Sequence, residues 1–315
     1  MMRIAVLIPC YNEEVTIAKV VRDFRAAVPD ATVYVYDNNS KDATVALARA
    51  AGAVVRREMM QGKGNVVRRM FADIEADAYV LVDGDDTYDA SDAIGMVQML
   101  AEDQLDMVTG NRVTEIKAAY RPGHRFGNAM LTGLVRQIFG NRVSDMLSGY
   151  RVFSRRFVKT FPALASGFET ETEFTVHALE LGMPVGEMST AYRDRPVGSA
   201  SKLNTYRDGI RILRTIITLV KEERPLQFFS LIGLVLLVVG LSLGIPVIFE
   251  FLHSRLVPRL PSAVLATNLI LLSFLCFVCG LILDSVTRGR KEVKRLAYLA
   301  VPAVSSVFIQ MRKTG

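Results

Sequence analysis

The sequence predicts an α/β domain with a mostly parallel sheet, followed by two membrane-spanning helices. Over the first 110 residues, short β-branched apolar runs alternate with segments of helical spacing, a pattern typical of a parallel sheet covered by helices on both faces. Two later runs, residues 226–249 and 263–283, carry no charge and are long enough to cross a hydrocarbon core of about 30 Å. Residues 1–205 are therefore expected to form one folded domain, because a chain of that length can bury a sizeable core.

The alternation predicts each element in order. Apolar β-branched runs predict strands at residues 4–8, 32–36, 53–57, 78–82 and 107–109. Helical apolar spacing predicts helices at residues 15–27, 43–51, 65–74 and 93–101. Ligands of such sheets bind beyond the carboxyl ends of the strands, so the residues that follow each strand are the candidates for a site.

Polar clusters follow three of these strands. Residues 9–13 follow the first strand, residues 37–40 the second, and Asp83-Gly84-Asp85 the fourth. Carboxylate oxygens suit Mg²⁺ or Mn²⁺, and a tight turn at Gly84 would bring both acids to one site. The alternative for the acid pair alone is an ordinary acidic turn after a buried strand.

Charge is unevenly distributed along the chain, whose net charge is +6. Acidic residues outnumber basic ones in the first third, and basic residues predominate in the remainder. A basic segment beside a membrane favours an anionic partner at the bilayer surface. No nucleic acid partner is expected, because no segment has the pattern of a nucleic-acid-binding module.

Basic residues also predict the membrane topology. They flank the two apolar runs on their outer sides, which places both flanks in the cytoplasm under the positive-inside rule. The apolar run at residues 4–8 is too short for a signal sequence. We therefore expect a multi-pass protein of the inner (plasma) membrane with a cytoplasmic domain at 1–205 and a cytoplasmic C-terminal segment at 284–315. Residues 206–225 are expected to form an interfacial amphipathic helix, or alternatively a helix packed on the domain.

Several motifs resemble a known family. Residues 8–14, 37–42, 62–64 and 83–85 resemble the inverting family 2 glycosyltransferases, which have a GT-A fold. Residues 110–112, 148–153 and 198–203 are similar to acceptor-side motifs of the polyprenyl-phosphate glycosyltransferases. That group includes dolichol-phosphate mannose synthase and the bacterial undecaprenyl-phosphate sugar transferases. The resemblance covers about residues 3–205, so it implies a GT-A domain ahead of the two spans.

The resemblance implies a nucleotide-sugar donor and a divalent metal, Mg²⁺ or Mn²⁺. Asp85 would hold the metal, and Asp83 would orient the ribose or the metal. Glu13 could instead be a first-turn helix acid, and Asp37 a turn former or N-cap. Asn38 stands where the family usually has a second acid, which leaves open the nucleotide base that the donor carries. Among the possible donors, a UDP-sugar is favoured over GDP-mannose. The implied donor-binding residues are Pro9, Tyr11, Glu13, Asp37, Lys63, Asp83 and Gly84.

A lipid phosphate acceptor needs no protein base, because a phosphomonoester is largely ionised at neutral pH. It needs cations that hold it beside the donor phosphates. The implied catalytic residues are Asp85, Arg112, Arg125, Arg195 and Lys202, and the implied acceptor-phosphate residues are Arg112, Arg125, Ser148, Arg151, Ser201 and Lys202. Each arginine could also be an ordinary solvated side chain. Glu173 matches a family glutamate but could equally form a structural ion pair.

The expected function is transfer of one sugar to a polyprenyl phosphate at the cytoplasmic leaflet, by an enzyme that is expected to be a homo-oligomer. A processive polysaccharide synthase is the first alternative. Synthases of that kind resemble one another in a Gln-x-x-Arg-Trp segment, and this chain has no tryptophan, which disfavours the alternative. A non-catalytic scaffold that binds a nucleotide sugar is the second alternative. The presence of Asp83 and Asp85 disfavours it, because both acids of the metal motif are retained. A transporter is disfavoured, because neither span contains a charged group.

Overall fold

A computed structural model describes residues 2–113, 133, 145–165, 167, 169–196, 214, 217–218 and 220–303. The chain divides into two compact units, one made of Met1–Ile212 with Lys294–Gly315 and the other of Leu213–Val293. The predicted interfacial helix falls largely outside the described residues, as does the last part of the predicted C-terminal segment.

One sheet organises the first unit. Among the described residues its order is β3-β2-β1-β4-β6-β5-β7, and only β6 runs antiparallel to its neighbours. The strands are β1 (Ile4–Cys10), β2 (Thr32–Asp37), β3 (Val54–Arg57), β4 (Ala78–Leu81), β5 (Met107–Val113), β6 (Arg151–Ser154) and β7 (Val185–Ala191). This mixed, mostly parallel sheet confirms the predicted fold class.

Helices cover both faces of the sheet. The helices of this unit that the structure describes in full are α1 (Ile17–Ala27), α2 (Thr44–Ala50), α3 (Lys63–Asp73), α4 (Asp92–Glu102), α5 (Arg155–Thr160) and α6 (Thr170–Leu181). Alternate residues of β1 explain the two layers, because Val6 and Ile8 enter the core beneath α1 and α4, whereas Leu7 enters the core with α3 and α6. Fully buried strands of this kind are expected in a sheet with two covered faces.

The second unit contains two helices that are long and apolar enough to cross a membrane, α7 (Pro225–Ser254) and most of α8 (Leu260–Leu299). Small residues recur every seventh position where they pack together, at Gly233 and Gly240 in α7 and at Ser273 and Gly280 in α8. A β-carbon added at Gly233 would lie 3.0 Å from the Ser273 carbonyl oxygen, so the two backbones approach closely.

The end of α8 belongs to the first unit. The Tyr298 hydroxyl donates to Asp106 Oδ2 at 2.8 Å, and Lys294 Nζ lies 2.7 Å from Glu180 Oε2. Asp106 is fully buried and also accepts from the Ser154 hydroxyl. These contacts join the residues that follow the apolar part of α8 to the folded domain.

Candidate active site

The sheet order brings the three polar clusters together. Strands β2, β1 and β4 are parallel neighbours, so residues 37–39, 11–13 and 83–85 follow them at the same edge. Strand β6 is antiparallel and therefore begins at this edge, after Ser148 and Gly149. Strands β5 and β7 end there as well, which accounts for the positions of Arg112 and Arg195.

Asp83, Gly84 and Asp85 form a tight turn directly after β4. A β-carbon at residue 84 would lie 2.8 Å from Cys10 Sγ, so the turn has no space for a larger residue. The Thr16 hydroxyl donates to the Gly84 carbonyl at 2.6 Å and ties the turn to the start of α1. The two acids are predicted to share one site, and the close packing at residue 84 favours a glycine between them.

Asp83 is paired with Lys63 at the start of α3. Lys63 Nζ lies 2.5 Å from Asp83 Oδ1 and 2.5 Å from Glu171 Oε1. Burial alone would lower the pKa of Lys63, but the two carboxylates outweigh it and raise the pKa. The resemblance implied that Lys63 is one of the donor-binding residues. The structure instead places it as a buried bridge between Asp83 and Glu171.

Asp85 is buried and has a different set of partners. Its Oδ1 accepts from the Thr87 hydroxyl at 2.7 Å and the Thr87 N–H at 3.3 Å, while Oδ2 lies 2.6 Å from Arg195 Nη2. Burial and the neighbouring charge of Asp83 raise the pKa of Asp85, and Arg195 opposes that rise. A second cation would therefore stabilise this carboxylate.

Asn38 organises the loop that leads into α3. Its amide nitrogen donates to the Glu58 and Met60 carbonyls at 3.0 and 2.8 Å, and its side-chain oxygen accepts from the Gly62 N–H at 2.7 Å. A carboxylate at this position has no hydrogen to donate and would face two carbonyl oxygens. The departure from two acids after β2 thus has a local structural reason.

The remaining donor-side residues lie around the ends of β1 and β2. Asp37 is buried, and its Oδ1 accepts from the Ser40 N–H at 3.1 Å, so it acts as a turn former in this structure. Pro9, Tyr11 and Glu13 are each half-buried at the end of β1, and the Glu13 N–H donates to the Thr44 hydroxyl at 2.8 Å. These groups border one side of the acid pair.

Arg112 lies on the opposite side and makes a bidentate ion pair. Its Nε and Nη2 atoms donate to the two carboxylate oxygens of Asp145 at 2.7 and 2.9 Å. Burial would raise the pKa of Asp145, but Arg112 lowers it below the usual value. The guanidinium also lies over the Tyr192 ring, 5.5 Å from its centroid.

Arg151 and Ser148 are placed differently from the sequence expectation that both bind an acceptor phosphate. Arg151 is fully buried and donates to the Ser148 and Met146 carbonyls and to the Thr175 hydroxyl. The Ser148 hydroxyl is also buried and donates to the Gly110 carbonyl at 2.5 Å. Because both side chains are enclosed and hydrogen-bonded to the chain, they support the 146–149 segment instead of facing a ligand.

Arg125, Ser201 and Lys202 lie outside the described residues. Glu173 accepts the Leu164 and Ala165 N–H groups at 2.8 and 2.9 Å, whereas the sequence had offered a structural ion pair as one interpretation.

Two residues were missed by sequence reasoning. Glu171 stood within an alternating Glu–Thr run that gave no sign of its link to Lys63. Tyr88, whose buried hydroxyl accepts from the Gly149 N–H at 3.0 Å, had no distinguishing signal.

The two acids fit a metal that is shared with a bound substrate. Among the described residues, no cluster of three or more His, Cys, Asp or Glu side chains could hold a metal alone. Mg²⁺ and Mn²⁺ sites often use one or two carboxylates and complete their coordination with waters and substrate phosphates. Asp85 suits that arrangement, since its carboxylate is a hard oxygen donor and burial raises its pKa, which a nearby cation would counteract.

Comparison with known proteins agrees with this fold. Residues 5–161 match the model of glycosyl transferase family 2. Glycosyltransferase AglJ of Haloferax volcanii is 34% identical over 303 residues, which cover 94% of this chain and 98% of AglJ. The chain therefore belongs to glycosyl transferase family 2, and it is a glycosyltransferase enzyme.

Two further similarities bear on the details. A dolichyl-phosphate hexose transferase of Haloferax volcanii is 27% identical over 221 residues, covering 70% of this chain and 95% of that protein. Glucosyl-3-phosphoglycerate synthase of Mycobacterium tuberculosis, solved with Mn²⁺, uridine diphosphate and phosphoglyceric acid, superposes with a TM-score of 0.56. That similarity covers 70% of this chain and 78% of the synthase at 22% identity, and it supports the GT-A fold alone.

Proposed function

We propose that this enzyme transfers one sugar from a nucleotide-sugar donor to a polyprenyl phosphate at the cytoplasmic leaflet of the plasma membrane, with inversion at the anomeric carbon. The observation that carries the proposal is the pairing of acids and arginines at one edge of the sheet. Asp83 and Asp85 lie there with Arg112 and Arg195, in a chain that also has two helices long enough to cross a membrane.

On the donor side, Asp85 is the residue that would hold Mg²⁺ or Mn²⁺, with Asp83 beside it. Such a metal neutralises the charge that develops on the leaving diphosphate. Lys63 holds one oxygen of Asp83, so Asp83 is fixed in orientation before the donor binds. Pro9, Tyr11, Glu13 and Asp37 border the same edge and would contact the nucleoside.

On the acceptor side, the arrangement of the glutamates favours a phosphate over a sugar hydroxyl. Glu171 holds Lys63 and Glu173 accepts two backbone N–H groups, so neither carboxylate is arranged as a general base. A phosphate acceptor needs no base, because its oxygens are already ionised at neutral pH. Arg112 and Arg195 would hold that phosphate against the repulsion of the donor phosphates.

Other features support the membrane part of the proposal. The positive flanks of both apolar segments favour a cytoplasmic domain. One relative is a dolichyl-phosphate hexose transferase, a name that refers to a lipid phosphate. A UDP-sugar is the first donor to test, ahead of GDP-mannose, and the homo-oligomer is a further part of the proposal.

The test measures transfer of radiolabel from a panel of UDP- and GDP-sugars to undecaprenyl phosphate by the purified full chain in detergent. Label should enter the lipid phase from one donor, and both EDTA and Asp85→Asn should abolish it. Asp86→Asn is the matched control, because Asp86 has a left-handed backbone (φ 58°) that asparagine tolerates and is paired with Lys19 instead of the site cations.

Absence of lipid label from every donor, in protein that remains folded, would overturn the lipid-phosphate proposal. Equal loss in the Asp85 and Asp86 variants would overturn the special role of Asp85. Either result would leave the family assignment unchanged.

A further inference from the structure

Asp83 and Asp85 are each paired with a cationic side chain, and the two cations differ in their exposure to solvent. Lys63 is enclosed between Asp83 and Glu171, and only 8% of its side chain is exposed. Arg195 contacts Asp85 from a position where 30% of its side chain is exposed. Removing Lys63 would leave the buried Glu171 and the partly exposed Asp83 without their cation, whereas the charge of the partly exposed Arg195 would stay hydrated if its side chain moved into solvent.

Arg195 contacts the Asp85 oxygen that Thr87 leaves uncontacted. Asp85 Oδ1 accepts both hydrogen bonds from Thr87, which orient the carboxylate. Arg195 Nη2 lies 2.6 Å from Oδ2, so a divalent cation bound to the same oxygen would repel the guanidinium at close range. Binding of a metal at Oδ2 would therefore weaken the contact with Arg195 and favour its departure.

We propose that Arg195 is a displaceable counter-ion of Asp85: divalent metal binding at Oδ2 expels its guanidinium, which then binds the phosphate of the acceptor. This inference rests on the proposed function, because it assumes the metal on Asp85 and a phosphate acceptor. It predicts the order of binding: the metal and the donor bind first, and the release of Arg195 then completes the acceptor site.

The exchange has a thermodynamic consequence. If metal binding frees Arg195 for phosphate, each ligand must strengthen the binding of the other by the same factor. Lys63 does not take part in this exchange, since it remains held by Glu171 when Asp83 meets a ligand. Coupling between metal and phosphate should thus depend on Arg195 specifically.

The first experiment titrates Mn²⁺ into the full chain in detergent, without donor, and follows free Mn²⁺ by electron paramagnetic resonance. Arg195→Gln should bind Mn²⁺ about tenfold more tightly than the wild type, because the competing cation is gone. Arg193→Gln is the matched control. It removes the same charge two residues away, where the side chain is 57% exposed and paired with Asp89, and should change affinity by no more than about twofold.

The second experiment measures binding of farnesyl phosphate with and without Mn²⁺ in the same three proteins. Mn²⁺ should strengthen this binding in the wild type and in Arg193→Gln by roughly fivefold or more, and the enhancement should be lost in Arg195→Gln.

Equal or weaker Mn²⁺ affinity in Arg195→Gln than in Arg193→Gln would overturn the inference, and so would an Mn²⁺ enhancement that survives in Arg195→Gln. Asp85→Asn separates this failure from failure of the proposed function. If Mn²⁺ binds wild type and Asp85→Asn alike, both without and with added uridine diphosphate, the metal assignment itself is wrong.

Discussion

The backbone of Gly149 lies directly against the carboxylate of Asp83. A β-carbon at residue 149 would be 2.2 Å from Asp83 Oδ2, while Lys63 holds the other oxygen at 2.5 Å. Asp83 is therefore confined from two sides, by a lysine on one oxygen and by a residue without a side chain near the other. The orientation of this acid is set by parts of the chain that are distant in sequence.

Gly149→Ala should impair sugar transfer through Asp83. The added methyl group would force the carboxylate to shift, and a displacement of about 1 Å in a reacting site can reduce the rate about 100-fold. The rate of transfer and the melting temperature should be measured together. Gly289→Ala is the control, since a β-carbon there meets nothing within 4 Å; comparable rates in the two variants would contradict the account.

Lys63→Met should destabilise the domain. It removes the cation between Asp83 and Glu171, and breaking a buried ion pair from one side costs about 3–5 kcal/mol. The loss in the free energy of unfolding is measured by denaturing the purified protein while monitoring an intrinsic spectroscopic signal of the domain. Adding Glu171→Gln to Lys63→Met should restore part of it, because one stranded charge disappears; no recovery in the double variant would argue against the bridge.

Asn38→Asp should weaken the loop at residues 58–62. The new carboxylate would face the Glu58 and Met60 carbonyls, with an expected loss of about 1–3 kcal/mol from the unmade hydrogen bonds. The donor KM should rise as the free energy of unfolding falls. Asn39→Asp is a milder comparison, because Asn39 is partly exposed and water can solvate its charge; the reverse ranking would count against this role of Asn38.

His177 should make the domain sensitive to acid. Burial, with a smaller contribution from Lys294, lowers its pKa in the folded state to about 3, compared with an ordinary value of 6.5. The unfolded state therefore binds more protons below pH 6.5, so stability falls as pH decreases from 6.5 toward 3, by at most about 1.4 kcal/mol per pH unit.

The measurement for His177 is the melting temperature between pH 7.5 and pH 5. His177→Gln should flatten this dependence, since it removes the titrating ring between Phe157 and Phe161. An unchanged pH dependence in the variant would show that other groups control the acid sensitivity.

The sheet and its ligand edge could be predicted from the sequence because the signals are local. The apolar run before Asp83 predicts a strand, and β4 ends at Leu81. The polar residues that follow β1, β2 and β4 were expected at one edge because parallel strands share their carboxyl ends. The sheet order placed these three strands side by side, as that expectation required.

The partners of individual side chains could not be predicted in the same way. Lys63 and Glu171 are 108 residues apart, and no local pattern reports that they meet. Arg151 carries a charge that usually indicates a surface position, yet its hydrogen bonds to carbonyls of the 146–148 segment allow it to be buried. Such pairings depend on the packing of α3, α6 and β6, which sequence periodicity does not determine.

An ionised lipid phosphate is proposed to accept the sugar without a protein base. Undecaprenyl phosphate and undecaprenol should be compared as acceptors under identical conditions, with the donor that proves active. Transfer to the phosphate alone, reduced strongly by Arg112→Gln or Arg195→Gln, is the predicted result. Transfer to undecaprenol at a comparable rate would contradict the account, because a hydroxyl acceptor needs the base that Glu171 and Glu173 are not arranged to provide.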